Sequence, residues 1–215
     1  MKKEGLSKGA KSRLMIIDIA RGIYNTYGQE LRIKDLSEKM EVNQSKLTNH
    51  FPTKELVIQA IFNEFQAKYA ALIDDRLSTD FTGFADFASF SSEVMDLNYH
   101  YRCAVLYYAN VVDFYAAEKP MVEKQIEKKL EWIDQAIKNL IKKGELSAEA
   151  GEGAGYQLLV YQWQMLSIHW MNSLLRYEVG KSYEEMKPFY LKAMFSIFGP
   201  YLTKKGKKAF ESLGF

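Results

Sequence analysis

Residues 32 to 54, RIKDLSEKMEVNQSKLTNHFPTK, constrain the fold of this chain more than any other stretch. Two short amphipathic segments, 33 to 40 and 44 to 51, flank the turn Glu41-Val42-Asn43, and neither has enough apolar surface to be stable alone. Ile33, Leu36 and Met40 recur at steps of three and four, and Val42, Leu47 and Phe51 complete one apolar wedge. The pair reads as a helix-turn-helix. Gln44, Ser45, Lys46, Thr48, Asn49 and His50 are left facing outward, on a helix of about two turns that Asn43 caps and Pro52 stops. Such a helix fits the DNA major groove, about 12 Å wide.

Charge agrees with that reading. Residues 1 to 54 carry 11 Lys/Arg against 6 Asp/Glu, a net of +5, whereas the other 161 residues carry 18 against 21, a net of −3. A basic module on a mildly acidic body suits a polyphosphate backbone. Lys2, Lys3, Lys8 and Lys11 read as an N-terminal arm able to add phosphate or minor-groove contacts, with a solvated tail as the equal alternative. Asp18 and Arg21 interrupt the first hydrophobic stretch, so no signal peptide is expected.

At these residues the chain resembles the TetR family of bacterial transcriptional regulators. The matching set is Ile16-Ile17-Asp18-Ile19-Ala20, Ile23-Tyr24, Tyr27-Gly28, Asp35-Leu36, Val42, Leu47 and the closing run His50-Phe51-Pro52-Thr53-Lys54-Glu55-Leu56. Four positions depart from the usual pattern: Glu41 stands for a turn glycine, Asn43 for a serine, Ser45 for a frequent glycine and Thr48 for a tyrosine. The resemblance implies a homodimeric repressor that leaves a near-palindromic operator when a small molecule binds. It also implies DNA contacts from Gln44, Ser45, Lys46, Thr48, Asn49, His50 and Lys54, and a dimer-forming helix pair near the C-terminus.

The remainder reads as all-α. Periodicity predicts a first helix over 12 to 27, a long helix from Lys54 to about 78, two helices with a bend near 98 to 102, and a boundary at Lys119-Pro120. A helix to 143 follows, with Met121, Ile126, Leu130, Ile133, Ile137 and Leu140 inward and a solvated Glu/Lys run outward. Residues 155 to 175 hold no Lys, Arg, Asp or Glu. Gln157, Gln162, Gln164, His169 and Asn172 make a membrane span costly there, so a helix buried on most sides is expected. Ser182 caps a last long helix carrying Pro188, and Gly199-Pro200 ends it, leaving 203 to 215 as a basic, peripheral tail. The domains expected are 1-54, binding DNA, and 55-215, binding an effector and dimerising.

Enzymatic chemistry finds no motif. His50, His100 and His169 are scattered, Glu-x-x-His is missing, and neither a nucleophile elbow nor a phosphate-cradling glycine loop occurs, so neither metal nor cofactor is expected. One cysteine, Cys103, excludes an internal disulfide and suits a reducing cytoplasm. Tyr, Trp and Met interspersed with isolated polar groups suggest a pocket for a small apolar or aromatic effector. Its candidate lining is Tyr99, Tyr107, Tyr108, Asn110, Phe114, Trp132, Gln162, Trp163, Met165, His169 and Trp170. The competing expectation is a helical small-molecule-binding protein or enzyme with a vestigial helix-turn-helix.

Overall fold

A computed structural model describes the backbone of residues 7–77, 82–110 and 114–215, and their side chains except at 110, 114–122 and 125. Among the described residues there are ten α-helices and no strand: α1 Lys8–Tyr27, α2 Ile33–Lys39, α3 Gln44–Thr48, α4 Lys54–Leu77, α5 Phe84–His100, α6 Arg102–Asn110, α7 Phe114–Lys142, α8 Gly153–Tyr177, α9 Tyr183–Ser196 and α10 Lys204–Glu211. No helix among them is long and apolar enough to cross a membrane. The chain forms two compact units, Met1–Ala70 with Leu97–Lys119, and Ala71–Asp96 with Pro120–Phe215.

In the first unit, α1 begins where the Ser7 hydroxyl accepts the Ala10 amide at 3.2 Å. Lys8 and Lys11 therefore lie on a helix rather than on the expected arm, while Lys2 and Lys3 fall outside the described residues. The start of α2 is held by Asp35, whose carboxylate accepts the Arg32 amide at 3.1 Å and the Arg32 Nε–H at 3.0 Å. Asn43 caps α3 through the Ser45 amide at 2.9 Å. α3 is shorter than the spacing predicts, ending at Thr48, because the chain tightens there: the His50 and Phe51 amides both donate to the Leu47 carbonyl.

Between α2 and α3, Glu41 takes φ 54, the one non-glycine residue at positive φ among those described. A side chain in this left-handed region crowds its own backbone, which is why glycine is usual in such turns. Leu36, Leu47 and Phe51 are essentially fully buried in one core with Ile16, Ala20, Tyr24, Val57, Ile58 and Ile61. On α4, Leu56 is 42% exposed, whereas Val57 and Ile58 are buried in that core.

One asparagine links α1 to the bend between α5 and α6. Asn25 donates from Nδ2 to the His100 carbonyl at 2.8 Å and accepts the Cys103 amide at Oδ1 at 3.0 Å, while Arg102 Nη2 donates to the Asn25 carbonyl at 2.9 Å. Cys103 is buried there, and burial pushes its thiol up to about 11.

The second unit is built on stacked aromatic rings. Phe87 lies 5.1 Å from Trp132, 4.7 Å from Trp163 and 4.8 Å from Phe195, centroid to centroid, and Phe84 packs edge-on to Phe198 at 5.7 Å. The N-terminus of α5 is held from afar by the buried Glu145, whose Oε2 accepts the Phe84 amide at 2.8 Å. Its backbone carbonyl also accepts the Thr203 amide at 3.2 Å, beside the isolated antiparallel bridge between Leu146 and Leu202.

Several expectations change in this unit. Residues 203 to 215 are not peripheral: Thr203 caps α10, Phe210 reaches Phe84 at 6.4 Å, and Phe215 reaches Phe195 at 5.7 Å. Lys119-Pro120 ends no helix, although the two units divide there: α7 starts at Phe114 and runs through the proline, among residues such as Ala116, Ala117 and Glu118 that favour helix. Ile126 is 48% exposed, whereas Ile133, Ile137 and Leu140 are buried as expected. α8 is buried on one face only: Leu159, Trp163, Trp170, Met171 and Leu174 are covered, but Leu158, Tyr161, Ile168 and Leu175 are about half exposed.

Substitutions at two positions test these local constraints. A Cβ at position 206 would sit 1.8 Å from the Glu145 backbone carbonyl oxygen, which cannot swing aside. Gly206→Ala should destabilise the full chain by about 3 kcal/mol, read as a fall in melting temperature. Glu41→Gly should act in the opposite direction, stabilising by about 0.5 kcal/mol in denaturant titration, while Glu41→Val should destabilise by about 1 kcal/mol.

Candidate nucleic-acid interface

α3 is held by one deeply buried side chain, Leu47, so its other residues are free to face out. Gln44, Ser45, Lys46 and Asn49 are exposed, and Thr48 and His50 are half-buried. The Thr48 hydroxyl donates back to the Ser45 carbonyl at 3.3 Å, so its proton is occupied locally. Lys54 opens α4, and its Nζ donates to the Gln29 carbonyl at 3.4 Å. These seven residues thus lie within one short stretch of backbone: four carry free polar ends, and three are partly engaged with the module.

Two cations near this surface give no motif in the sequence. Arg13, exposed on α1, places its guanidinium 4.3 Å from the centre of the Phe51 ring, next to the end of α3. Arg32 is largely exposed beyond its pair with Asp35. That pairing holds the Asp35 carboxyl below the usual carboxylate range, so the acid in the first turn of α2 stays ionised and Arg32 stays matched. Arg13 becomes visible only once Phe51 is packed, since 38 residues separate them in sequence.

The candidate effector residues divide between the units. Tyr99, Tyr107 and Tyr108 belong to the first: Arg102 lies over the Tyr99 ring at 4.3 Å, and Tyr108 sits 4.3 Å from Phe62. Trp132, Gln162, Trp163, Met165, His169 and Trp170 belong to the second. All three tryptophans are buried in ring clusters, Trp170 against Tyr183 at 5.6 Å and Tyr190 at 5.9 Å. Gln162 and His169 are exposed on α8, and Met165 is half-buried. The side chains of Asn110 and Phe114 lie outside the described residues. Among the described residues no three His, Cys, Asp or Glu side chains converge as metal ligands would.

Lys129 on α7 was expected on a solvated face, and is not. Its amine donates to the Ser167 hydroxyl on α8 at 3.0 Å, and loss of water pushes it down to about 8. Its place three residues before the buried Trp132 is the sequence signal, masked by the lysines and glutamates around it.

The family model TetR, bacterial transcriptional repressor, matches residues 58–210, a span that begins just after the N-terminal resemblance ends at Leu56. No curated protein matches the chain. Among solved structures, a TetR-family transcriptional regulator from Marinobacter aquaeolei VT8 superposes with a TM-score of 0.77 at 16% identity, covering 97% of each chain. The ketosteroid transcriptional regulator KstR2 of Mycobacterium tuberculosis gives 0.65 at 12% identity, over 89% of this chain and 95% of that one. A SmeT–triclosan complex gives 0.58 at 14%, over 90% and 93%. At such identities the structures speak for the fold, and the family model supplies the rest: the chain belongs to the TetR family of DNA-binding bacterial transcriptional regulators.

Proposed function

We propose that this regulator is a homodimeric repressor that binds a near-palindromic operator through residues 1–54 and is released by a small apolar or aromatic effector held in the helical body, 55–215. The observation that carries the DNA half is α3 itself, a helix with one buried side chain and a row of exposed hydrogen-bonding ones. Gln44, Ser45, Lys46 and Asn49 are assigned to base edges, and Thr48, His50 and Lys54 to phosphates, since phosphate contacts position and base contacts specify. Lys54 must exchange the Gln29 carbonyl for a phosphate oxygen, a charge-assisted and stronger bond.

Exposed apolar surface on α8 and α9 supports the dimer. Leu158, Tyr161, Ile168 and Leu175 follow one another at steps of three and seven along α8, and Phe189 on α9 is 57% exposed. Such a stripe is unusual on a lone soluble chain and suits a two-fold contact with a second copy. Pairing across that axis would present two α3 helices about 34–36 Å apart, one turn of DNA. The effector half draws support from proteins of like fold, one described as a ketosteroid regulator and one solved with triclosan.

Gel shifts on the DNA upstream of the chain's own reading frame test the first assignment. Lys54→Ala should weaken all sequences alike and lower the salt slope by about 1, whereas Asn49→Ala should relax preference at one base pair by about 1–3 kcal/mol. Unchanged affinity in both Lys46→Ala and Lys54→Ala would sink it. For the dimer, sedimentation of the wild type should show a two-chain species at micromolar concentration, and Ile168→Glu should raise the dissociation constant by about a hundredfold or more. A wild-type monomer at that concentration excludes this interface.

A further inference from the structure

The half-buried Lys129 amine is a cation without a matching charge among the described residues. Its neighbours on α7 are matched in the ordinary way, Lys128 with Asp74 and Lys138 with Asp134. Lys129 instead has one neutral partner. Among the described residues no carboxylate pairs with it, and the Ser167 hydroxyl spends its own proton on the Gln164 carbonyl at 3.1 Å, turning a lone pair toward the amine. An ammonium group has three N–H donors, and among the described residues one of them meets a protein partner.

The medium around this pair is apolar. Trp132 lies one turn further along α7 on the same face, and Trp163 and Trp170 lie one turn to either side of Ser167 on α8. All three indoles are buried, and Phe90 closes on Trp132 at 4.5 Å. A cation in such a place is poorly stabilised until an anion joins it, and its lowered basicity reports that deficit.

We propose that Lys129 and Ser167 are the polar end of an effector site in the second unit, and that the effector is a small monocarboxylic acid with an apolar or aromatic body. This deepens the effector-responsive reading above and rests on it. A single ammonium with no second cation beside it balances one negative charge, as on a carboxylate, and leaves a polyanion uncompensated. The apolar side chains that share these faces of α7 and α8 match an apolar body. Cationic ligands are repelled, and neutral ones gain nothing from the amine.

Three acids, phenylacetate, octanoate and decanoate, each paired with its primary amide, provide the test. Titration of the full-length protein by tryptophan fluorescence is the readout, since Trp132, Trp163 and Trp170 all flank the site and are the only tryptophans. At least one acid should bind about tenfold or more tighter than its amide. Lys129→Met should bring that acid down to the amide's affinity while the melting temperature holds or rises, because a half-buried and poorly matched cation is lost. Should Lys129→Met not fold, Lys129→Gln serves; Lys129→Arg should retain part of the preference. Acids that bind no tighter than amides, including acids that do not bind, overturn the proposal, as does a folded Lys129→Met that keeps the preference. Release of operator DNA is scored separately. Acid-selective binding without release leaves the site standing and removes the effector reading, while release by neutral compounds without acid selectivity does the reverse.

Discussion

Burial of Leu47 and Phe51 is the constraint on which the helix-turn-helix module depends. A helix of five residues forms too few internal bonds to offset its own ordering. What fixes α3 is the removal of those two side chains from water among Leu36, Ala20 and Tyr24, none of them more than 1% exposed. Burying each large apolar side chain fully is worth about 1.5–3 kcal/mol, more than the cap at Asn43 supplies. The polar residues of α3 are thus presented by a scaffold to which they add little, so the face can vary while the fold holds.

The features that were legible in the sequence are those written at short range. Leu36 to Met40 and Leu47 to Phe51 repeat at helical spacing, Asn43 and Ser182 precede their helices as caps, and Gly28 closes α1, so each could be read within about one turn. Features that depend on distant partners were not. The α10 helix was missed because its reason for being packed is Glu145 and Phe84, 61 and 126 residues before Gly206 and Phe210 respectively. Lys129 was missed because a lysine among lysines looks solvated, and only the approach of Ser167 from α8 shows otherwise.

The charge-free run in α8 shows the same limit from another side. A lack of charge records that a surface is to be covered, but not by what. Trp163, Trp170 and Leu174 are covered by this chain, while Leu158, Tyr161 and Ile168 are not, and both sets look alike in sequence. A period of three or four fixes which residues share a face; only the packed neighbours decide which face the chain keeps for itself.

The setting of the lone cysteine carries a different consequence. Cys103 is enclosed between α1 and α6, its amide tied to Asn25 and its thiol against the Arg21 carbonyl at 3.9 Å. Burial pushes the thiol up to about 11, so at neutral pH it stays protonated. Peroxides and electrophiles react with the thiolate, so the sulfur here is chemically silent until the helices part. Oxidation at this one sulfur therefore has to wait for the helices around it to open, which ties its chemistry to local unfolding rather than to the oxidant alone.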